Sequence, residues 1–261
     1  MSDDRFTRPP AYLAERSRTV RMADVPVLLA HPDWERPAPV TIWLHGRTAH
    51  KELDSGRYLR WIRAGIAACA IDLPWHGERR NRAMQGPDRT MHLLQQAVDE
   101  IDPVVEELGR SYGDWFDGAR LGLGGMSAGG MAVLRRLCDD HAFRCAAVEA
   151  TTGSFAHMPG YAQRHEAGLL EQLDPMRHVD GWRPIPLLAA HSEADEIVPI
   201  AGMRAFVEAL RQRYERAGAD DAMVRLETWA RTGAPYEHLG FGRHSNDAKN
   251  LQTAFLTEHL L

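Results

Sequence analysis

Ser127 is the residue of this sequence best placed to act as a nucleophile. It lies in the pattern Gly-Met-Ser-Ala-Gly at residues 125–129, between an apolar run, 121–126, and a helical pattern, 128–138. A strand, a glycine turn and a helix in this order form a nucleophile elbow, which exposes the serine hydroxyl. A serine hydroxyl attacks a carbonyl only when a base takes its proton and an acid orients that base.

Asp195 is the favoured carboxylate partner of such a base. It follows an apolar run at 185–190 and precedes a helical pattern that starts near residue 201. We therefore expect it just beyond the carboxyl end of a strand, in the chain order serine, acid, histidine. Glu193 and Glu196 are neighbouring alternatives in the same acidic loop.

Two histidines compete for the role of the base. His238 follows an apolar run that ends at Trp229, and His244 comes six residues later, just before the last helical pattern. A loop between the final strand and the final helix suits either residue. We favour His238 and keep His244 as the alternative base.

An acyl-transfer site also needs two backbone N–H groups to stabilise an oxyanion. Ala128, the residue after the serine, would supply one of them. The turn after the apolar run 40–44 would supply the other, from Arg47 or, if the turn is displaced, from Thr48. His45 at the start of this turn is interpreted as a structural hydrogen-bonding residue.

Apolar runs alternate with helical patterns along most of the sequence. The predicted strands cover residues 40–44, 66–73, 121–126, 145–150, 185–190 and 223–229. The predicted helices cover residues 53–64, 93–108, 128–138, 203–214 and 246–260, with a kink or a later start at Pro103. This alternation predicts an α/β fold with a mostly parallel central sheet flanked by helices.

No repeat or linker divides the sequence, so residues 1–261 are predicted to form a single domain. A β-hairpin is expected at about residues 18–30. Residues 151–184 interrupt the alternation with several glycines and prolines, and we interpret them as a small cap-like insertion over the carboxyl end of the sheet, with a surface insertion as the alternative.

The composition argues against several classes of function. The chain carries 31 basic and 36 acidic side chains, a net charge of −5, which gives no attraction to nucleic acid or an anionic membrane. No apolar run approaches the roughly 20 residues that span a bilayer, and the polar N-terminus lacks the apolar stretch of a signal peptide. Cys69, Cys138 and Cys145 fit no zinc pattern. A cytoplasmic location is expected.

Several of these segments resemble, in order, the motifs of the α/β-hydrolase superfamily. They are Leu44-His-Gly46, the segment Asp72-Leu-Pro-Trp-His-Gly-Glu-Arg79, the serine pattern at 125–129, the acidic loop ending in Val198-Pro199, and a closing histidine loop and helix. Within the superfamily, the first two resemble bacterial carboxylesterases and dienelactone-hydrolase-like members. The resemblance implies an α/β-hydrolase fold from about residue 25 to residue 261.

The resemblance also implies a serine hydrolase, and we expect a carboxylesterase that cleaves small to medium esters through an acyl-enzyme. An acyl-peptidase, a thioesterase or a dienelactone or lactone hydrolase would use the same residues, and a non-catalytic ligand-binding protein is the alternative from another class. His45, Met126, Trp75 and Trp182 are expected to line the pocket. The expected partner is a small-molecule ester, without metal or organic cofactor; the oligomeric state is left open, with a homodimer as one option.

Overall fold

The computed structural model of the chain describes residues 9–261, and within them a single sheet of eight strands forms the centre of the fold. The strands are β1 (Ser17–Met22), β2 (Val25–Ala30), β3 (Ala38–Leu44), β4 (Ala67–Ile71), β5 (Phe116–Met126), β6 (Cys145–Glu149), β7 (Leu187–Ser192) and β8 (Val224–Trp229). Their order across the sheet is β1-β2-β4-β3-β5-β6-β7-β8.

The strands from β3 to β8 run parallel, whereas β1 and β2 form an antiparallel hairpin at one edge. The α/β class and the mostly parallel sheet predicted from the sequence are therefore confirmed. Strands β2, β3, β4, β6 and β7 are buried at every residue, as expected of strands covered on both faces. The carboxyl ends of β3, β5, β6 and β7 consequently meet at one edge, where the loops that follow them can converge.

Helices cover both faces of the sheet. They are α1 (Ala11–Ala14), α2 (Ser55–Arg63), α3 (Thr90–Tyr112), α4 (Ala128–Arg136), α5 (Tyr161–Arg164), α6 (Ala167–Leu173), α7 (Ile200–Arg216) and α8 (Ser245–Leu260), with several short 3₁₀ turns between them. Helix α3 begins at Thr90 and continues through Pro103, so the later start offered as one alternative there is wrong. Pro103 and the residue four positions earlier, Asp99, are both exposed. Water can therefore satisfy the carbonyl that the proline leaves unpaired.

Residues 151–184 leave the sheet after β6 and return to it at β7. They fold into short helical turns, including α5 and α6, that contact helices α3, α4 and α7. Phe155, Tyr161, Leu173 and Trp182 are buried in the main hydrophobic core. This segment is thus packed against the helical layer.

The three cysteines are free and buried, and burial raises the pKa of Cys138 and Cys145 to about 12. They therefore stay protonated at neutral pH and act as small core residues. Among residues 9–261, none of the helices combines the length and the apolarity needed to cross a bilayer.

Candidate active site

Ser127 occupies a sharp turn between β5 and α4, with φ 51° and ψ −120°. A non-glycine residue in this region carries a strain of about 1–3 kcal/mol, which the surrounding structure has to offset. The two glycines that flank the serine occupy positions with no room for a side chain. A Cβ atom on Gly125 would lie 2.7 Å from the carbonyl carbon of Gly129, and one on Gly129 would lie 2.3 Å from the carbonyl oxygen of Leu44. The glycines thus let the turn approach β3 closely.

The turn places the Ser127 hydroxyl beside an imidazole. The Oγ atom of Ser127 lies 3.0 Å from Nε2 of His238, and Nδ1 of His238 lies 2.8 Å from Oδ2 of Asp195. Because a carboxylate only accepts, Nδ1 carries the proton and Nε2 is left to accept from the hydroxyl. Both His238 and Asp195 are buried, so water competes little with these two hydrogen bonds.

The Asp195 carboxylate is fixed by further donors. Its Oδ1 atom accepts from the backbone N–H groups of Ile197 and Val198, at 2.9 and 2.8 Å. Burial alone would raise the pKa of Asp195, but hydrogen bonds from His191 and His238 outweigh burial and lower the pKa to about 2. The group is therefore ionised throughout the pH range in which an imidazole can act as a base.

This low pKa predicts an acid-labile contribution to stability. The pKa of Asp195 lies below its ordinary value of 3.8, so its contribution is present above about pH 4 and is lost as the pH falls towards 2. We expect wild type to lose on the order of 2 kcal/mol more free energy of unfolding over this range than Asp195→Asn. Urea denaturation at a series of pH values measures the difference, and parallel declines would contradict it.

His244, the alternative base, lies away from the Ser127 hydroxyl. Its Nδ1 atom pairs with Oδ2 of Asp247 at 3.2 Å, and its ring stacks on Trp229 with centroids 6.1 Å apart. Among the alternative acids, Glu193 pairs with Arg204 at 2.6 Å. The structure thus brings together Ser127, His238 and Asp195, and not His244 or Glu193.

The backbone N–H groups of Arg47 and Ala128 flank the serine. Ala128 is the first residue of α4, so its N–H has no acceptor within the helix. The N–H of Arg47 likewise finds no backbone acceptor within residues 9–261. The His45 ring fixes this turn, because its Nδ1 atom donates to the Gly46 carbonyl at 2.7 Å and its Nε2 atom accepts from the Leu73 amide at 3.0 Å. Neither N–H group is thus committed to a backbone partner, as the predicted role of these two residues in binding an oxyanion requires.

A buried lysine ties the Arg47 turn to the end of β4. The Lys51 ammonium lies 3.0 Å from Oδ2 of Asp72 and 2.5 Å from Oε1 of Glu78, and the Lys51 amide donates to Asp72 at 2.9 Å. Burial opposes the charge on Lys51, but its hydrogen bonds to Glu52, Glu78 and Asp72 prevail and raise its pKa. The turn is thus anchored by ionised groups.

A cavity of about 750 Å³ opens onto Ser127 and His238. It is lined by residues of the 43–57 region, by residues 126, 127 and 149, and by residues 238–242, 245 and 249. His45 and Met126, two of the predicted pocket residues, line it. Trp182 and Trp75 do not: Trp182 is fully buried and donates to the hydroxyl of Tyr214 at 3.0 Å, and Trp75 packs against the main core. No residue of the segment 151–184 lines the cavity.

The lining of the cavity includes a cluster of charged side chains, here called the Arg57 cluster, in which Arg57 and Glu149 are buried and Asp54 and Lys249 are partly exposed. Arg57, 3% exposed, binds both oxygens of Glu149 at 2.7 Å and Oδ2 of Asp54 at 2.6 Å. Gln252 bonds to both Arg57 and Glu149, and Lys249 pairs with Asp54 at 3.1 Å. Two cations and two carboxylates balance here, so this part of the lining is polar but close to neutral.

The sequence reasoning missed several residues of this site, among them Lys51, Arg57 and Glu149. Glu149 offered a signal, because it is a charged residue at the end of the apolar run 145–150, where a buried strand meets the functional edge of a parallel sheet. Lys51 and Arg57 lie in a helical or loop pattern rich in charges and offered none. Within residues 9–261, no three His, Cys, Asp or Glu side chains converge as a metal site.

Comparisons with known proteins give two matches in sequence. Residues 90–260 match the profile of the prolyl oligopeptidase family. The esterase YjfP of Escherichia coli (strain K12) is 26% identical over 195 residues, which cover 68% of this chain and 78% of that protein.

Solved structures extend the likeness to nearly the whole chain. TT1662 from Thermus thermophilus has a TM-score of 0.70 and 26% identity, covering 94% of this chain and 98% of that one. The acylaminoacyl peptidase of Pyrococcus horikoshii has a TM-score of 0.72 and 18% identity, covering 94% of this chain but only 41% of its own; at that identity it shows the fold alone. The α/β-hydrolase resemblance drawn from the sequence motifs is confirmed.

Proposed function

The chain belongs to the prolyl oligopeptidase family of serine hydrolases, and we propose that it is a carboxylesterase acting on small to medium carboxylic esters. The observation that carries the proposal is the hydrogen-bonded series from the Ser127 hydroxyl through His238 to Asp195. The likeness to the esterase YjfP favours an ester as the substrate.

The proposed reaction is an acyl transfer in two steps. Ser127 attacks the ester carbonyl while Nε2 of His238 takes the hydroxyl proton, and the imidazolium is stabilised by Asp195. The N–H groups of Arg47 and Ala128 stabilise the oxyanion. His238 then protonates the departing alcohol, which leaves an ester between the acyl group and Ser127. His238 then takes a proton from water as the water attacks that ester, and it returns the proton to the Ser127 oxygen as the carboxylic acid leaves.

The cavity is compatible with a small-molecule ester. Its volume of about 750 Å³ lies within the range of roughly 300–1,000 Å³ that is usual for small-ligand sites. Leu53 and Leu239 line it and are each more than half exposed, so they offer an apolar contact to an acyl or alcohol group. The Arg57 cluster in the lining favours short or polar groups over long alkyl chains, because an alkyl chain there would cover charged atoms without bonding to them.

An acyl-peptidase is the second candidate, and the family match is the observation that favours it. A thioesterase or lactone hydrolase would need the same proposed residues. These alternatives differ in the leaving group, since an amine has to be protonated as it leaves and a thiolate does not. Kinetics on matched leaving groups therefore separate them.

The test compares wild type with Ser127→Ala on p-nitrophenyl acetate, butyrate and octanoate, and on an N-acetyl amino acid p-nitroanilide. We expect the two shorter esters to be cleaved fastest, and Ser127→Ala to lose a factor of about 10⁴ or more in kcat. His244→Ala is the matched control for His238→Ala and should stay near wild type. Faster cleavage of the anilide than of the esters would favour the acyl-peptidase over the carboxylesterase. A wild type that is no faster than Ser127→Ala and fails to react with a fluorophosphonate would point to a ligand-binding protein.

A further inference from the structure

Glu237, the residue immediately before His238, has a backbone conformation that residues other than glycine rarely adopt. Its φ is 51°, and that of the preceding Tyr236 is 55°. Glycine enters this left-handed region freely, whereas two consecutive non-glycine residues there are strained. The loop that carries His238 therefore needs an interaction that holds it in this conformation.

The Glu237 carboxylate supplies that interaction. Its Oε2 atom accepts from the hydroxyl of Ser192 at 2.9 Å, from the amide of Thr232 at 2.6 Å and from the hydroxyl of Thr232 at 2.8 Å. Its Oε1 atom accepts from the amide of Gly233 at 3.0 Å. These donors, with the Thr232 amide foremost, lower the pKa of Glu237 to about 2, so the carboxylate is ionised at neutral pH.

The donors belong to two different parts of the site. Ser192 is the last residue of β7, and its carbonyl accepts from the amide of Asp195 at 3.3 Å. Thr232 and Gly233 follow β8, at the start of the loop that leads to His238. One carboxylate thus joins the loop that bears the acid to the loop that bears the imidazole.

We propose that Glu237 is a positioning residue for the reaction: its carboxylate fixes the loop of His238 relative to the loop of Asp195. This inference rests on the proposed function, because it gives the histidine a role in proton transfer. Glu237 itself touches none of the reacting groups. Its effect is to keep the distances of 3.0 and 2.8 Å on either side of the imidazole, on which proton transfer depends steeply.

Three variants separate the carboxylate from the backbone conformation. Glu237→Gly relieves the strain at φ 51° and removes all four hydrogen bonds. Glu237→Gln keeps the size and one acceptor oxygen but turns an amide NH₂ towards the donors. Glu193→Gln is the matched control, because Glu193 directly follows Ser192 but, within residues 9–261, its exposed carboxylate bonds only to Arg204 and Thr228.

We expect Glu237→Gly to lower kcat for p-nitrophenyl butyrate by about 10–100-fold, with KM within about twofold of wild type. The fall in kcat should be smaller for Glu237→Gln than for Glu237→Gly, and the kcat of Glu193→Gln should match that of wild type. Each kcat is divided by the fraction of Ser127 that a fluorophosphonate labels, so that loss of folded protein does not count as loss of rate. The rate constant of labelling is recorded too, and should fall in parallel with kcat.

A wild-type kcat per labelled serine in Glu237→Gly would overturn the proposal, even if the variant melts at a lower temperature, since Glu237 would then serve stability alone. A loss confined to KM would also overturn it. Should Glu237→Gly not fold, Glu237→Gln decides by the same two criteria. If wild type labels but cleaves no ester, the proposed substrate is wrong, while the labelling rates still test Glu237. If wild type does not label, both proposals fall.

Discussion

Asp195→Asn is expected to lower kcat for ester hydrolysis by about 10⁴-fold while the fold and the cavity stay intact. An asparagine amide can donate to Nδ1 of His238, and it does not stabilise an imidazolium as a carboxylate does. The proton of the imidazole would then reside on Nε2, 3.0 Å from the Ser127 hydroxyl, where it blocks acceptance of the serine proton. Steady-state kinetics on p-nitrophenyl butyrate, with the thermal melting temperature of each variant, measure the effect.

Glu196→Gln is the control for this substitution, because Glu196 is the exposed carboxylate next to Asp195 in the chain and should stay near wild type. A loss of less than tenfold in Asp195→Asn would mean that the carboxylate does not govern the tautomer of His238. The role given to the Asp195 carboxylate, on the basis of its distance of 2.8 Å from Nδ1 of His238, would then have to be abandoned, although the serine could still be acylated.

Sequence patterns located the serine and the acid because each is tied to the end of a strand. Ser127 follows β5 directly, and Asp195 comes three residues after β7, so knowledge of the strands nearly fixes their positions. The base differs, since His238 lies nine residues past β8. Choosing it over His244 depends on a loop with left-handed residues at Tyr236 and Glu237, a conformation that no periodicity in the sequence announces.

Side-chain direction was the other quantity that the sequence did not supply. Trp182 was expected in the pocket because it belongs to a loop, yet its indole N–H turns inward to the Tyr214 hydroxyl and its ring packs on Phe206. A tryptophan buries a large apolar surface, and when it is buried its N–H usually finds a hydrogen-bond partner. The Arg57 cluster was missed for a related reason: Arg57 and Glu149 are 92 residues apart in the chain, and only the packing of α2 against the sheet brings them together.

The Arg57 cluster leads to the largest expected change in stability. Arg57→Met should lower the free energy of unfolding by about 3–5 kcal/mol, because it leaves the carboxylate of Glu149, 2% exposed, without its cation. The destabilisation should extend to the active site, since the Glu149 carbonyl accepts from the Ser127 amide at 2.9 Å. Guanidinium denaturation monitored by tryptophan fluorescence gives the free energy.

The double variant Arg57→Met, Glu149→Leu distinguishes an unpaired buried charge from lost packing. If the unpaired carboxylate is the cause, removing it as well should recover much of the lost stability, because an apolar pair of similar volume is often as stable as a buried ion pair. Arg204→Met, which breaks the exposed pair with Glu193, should change stability by less than about 1 kcal/mol. A double variant as unstable as the sum of its single variants would assign the effect to packing around α2 and not to charge.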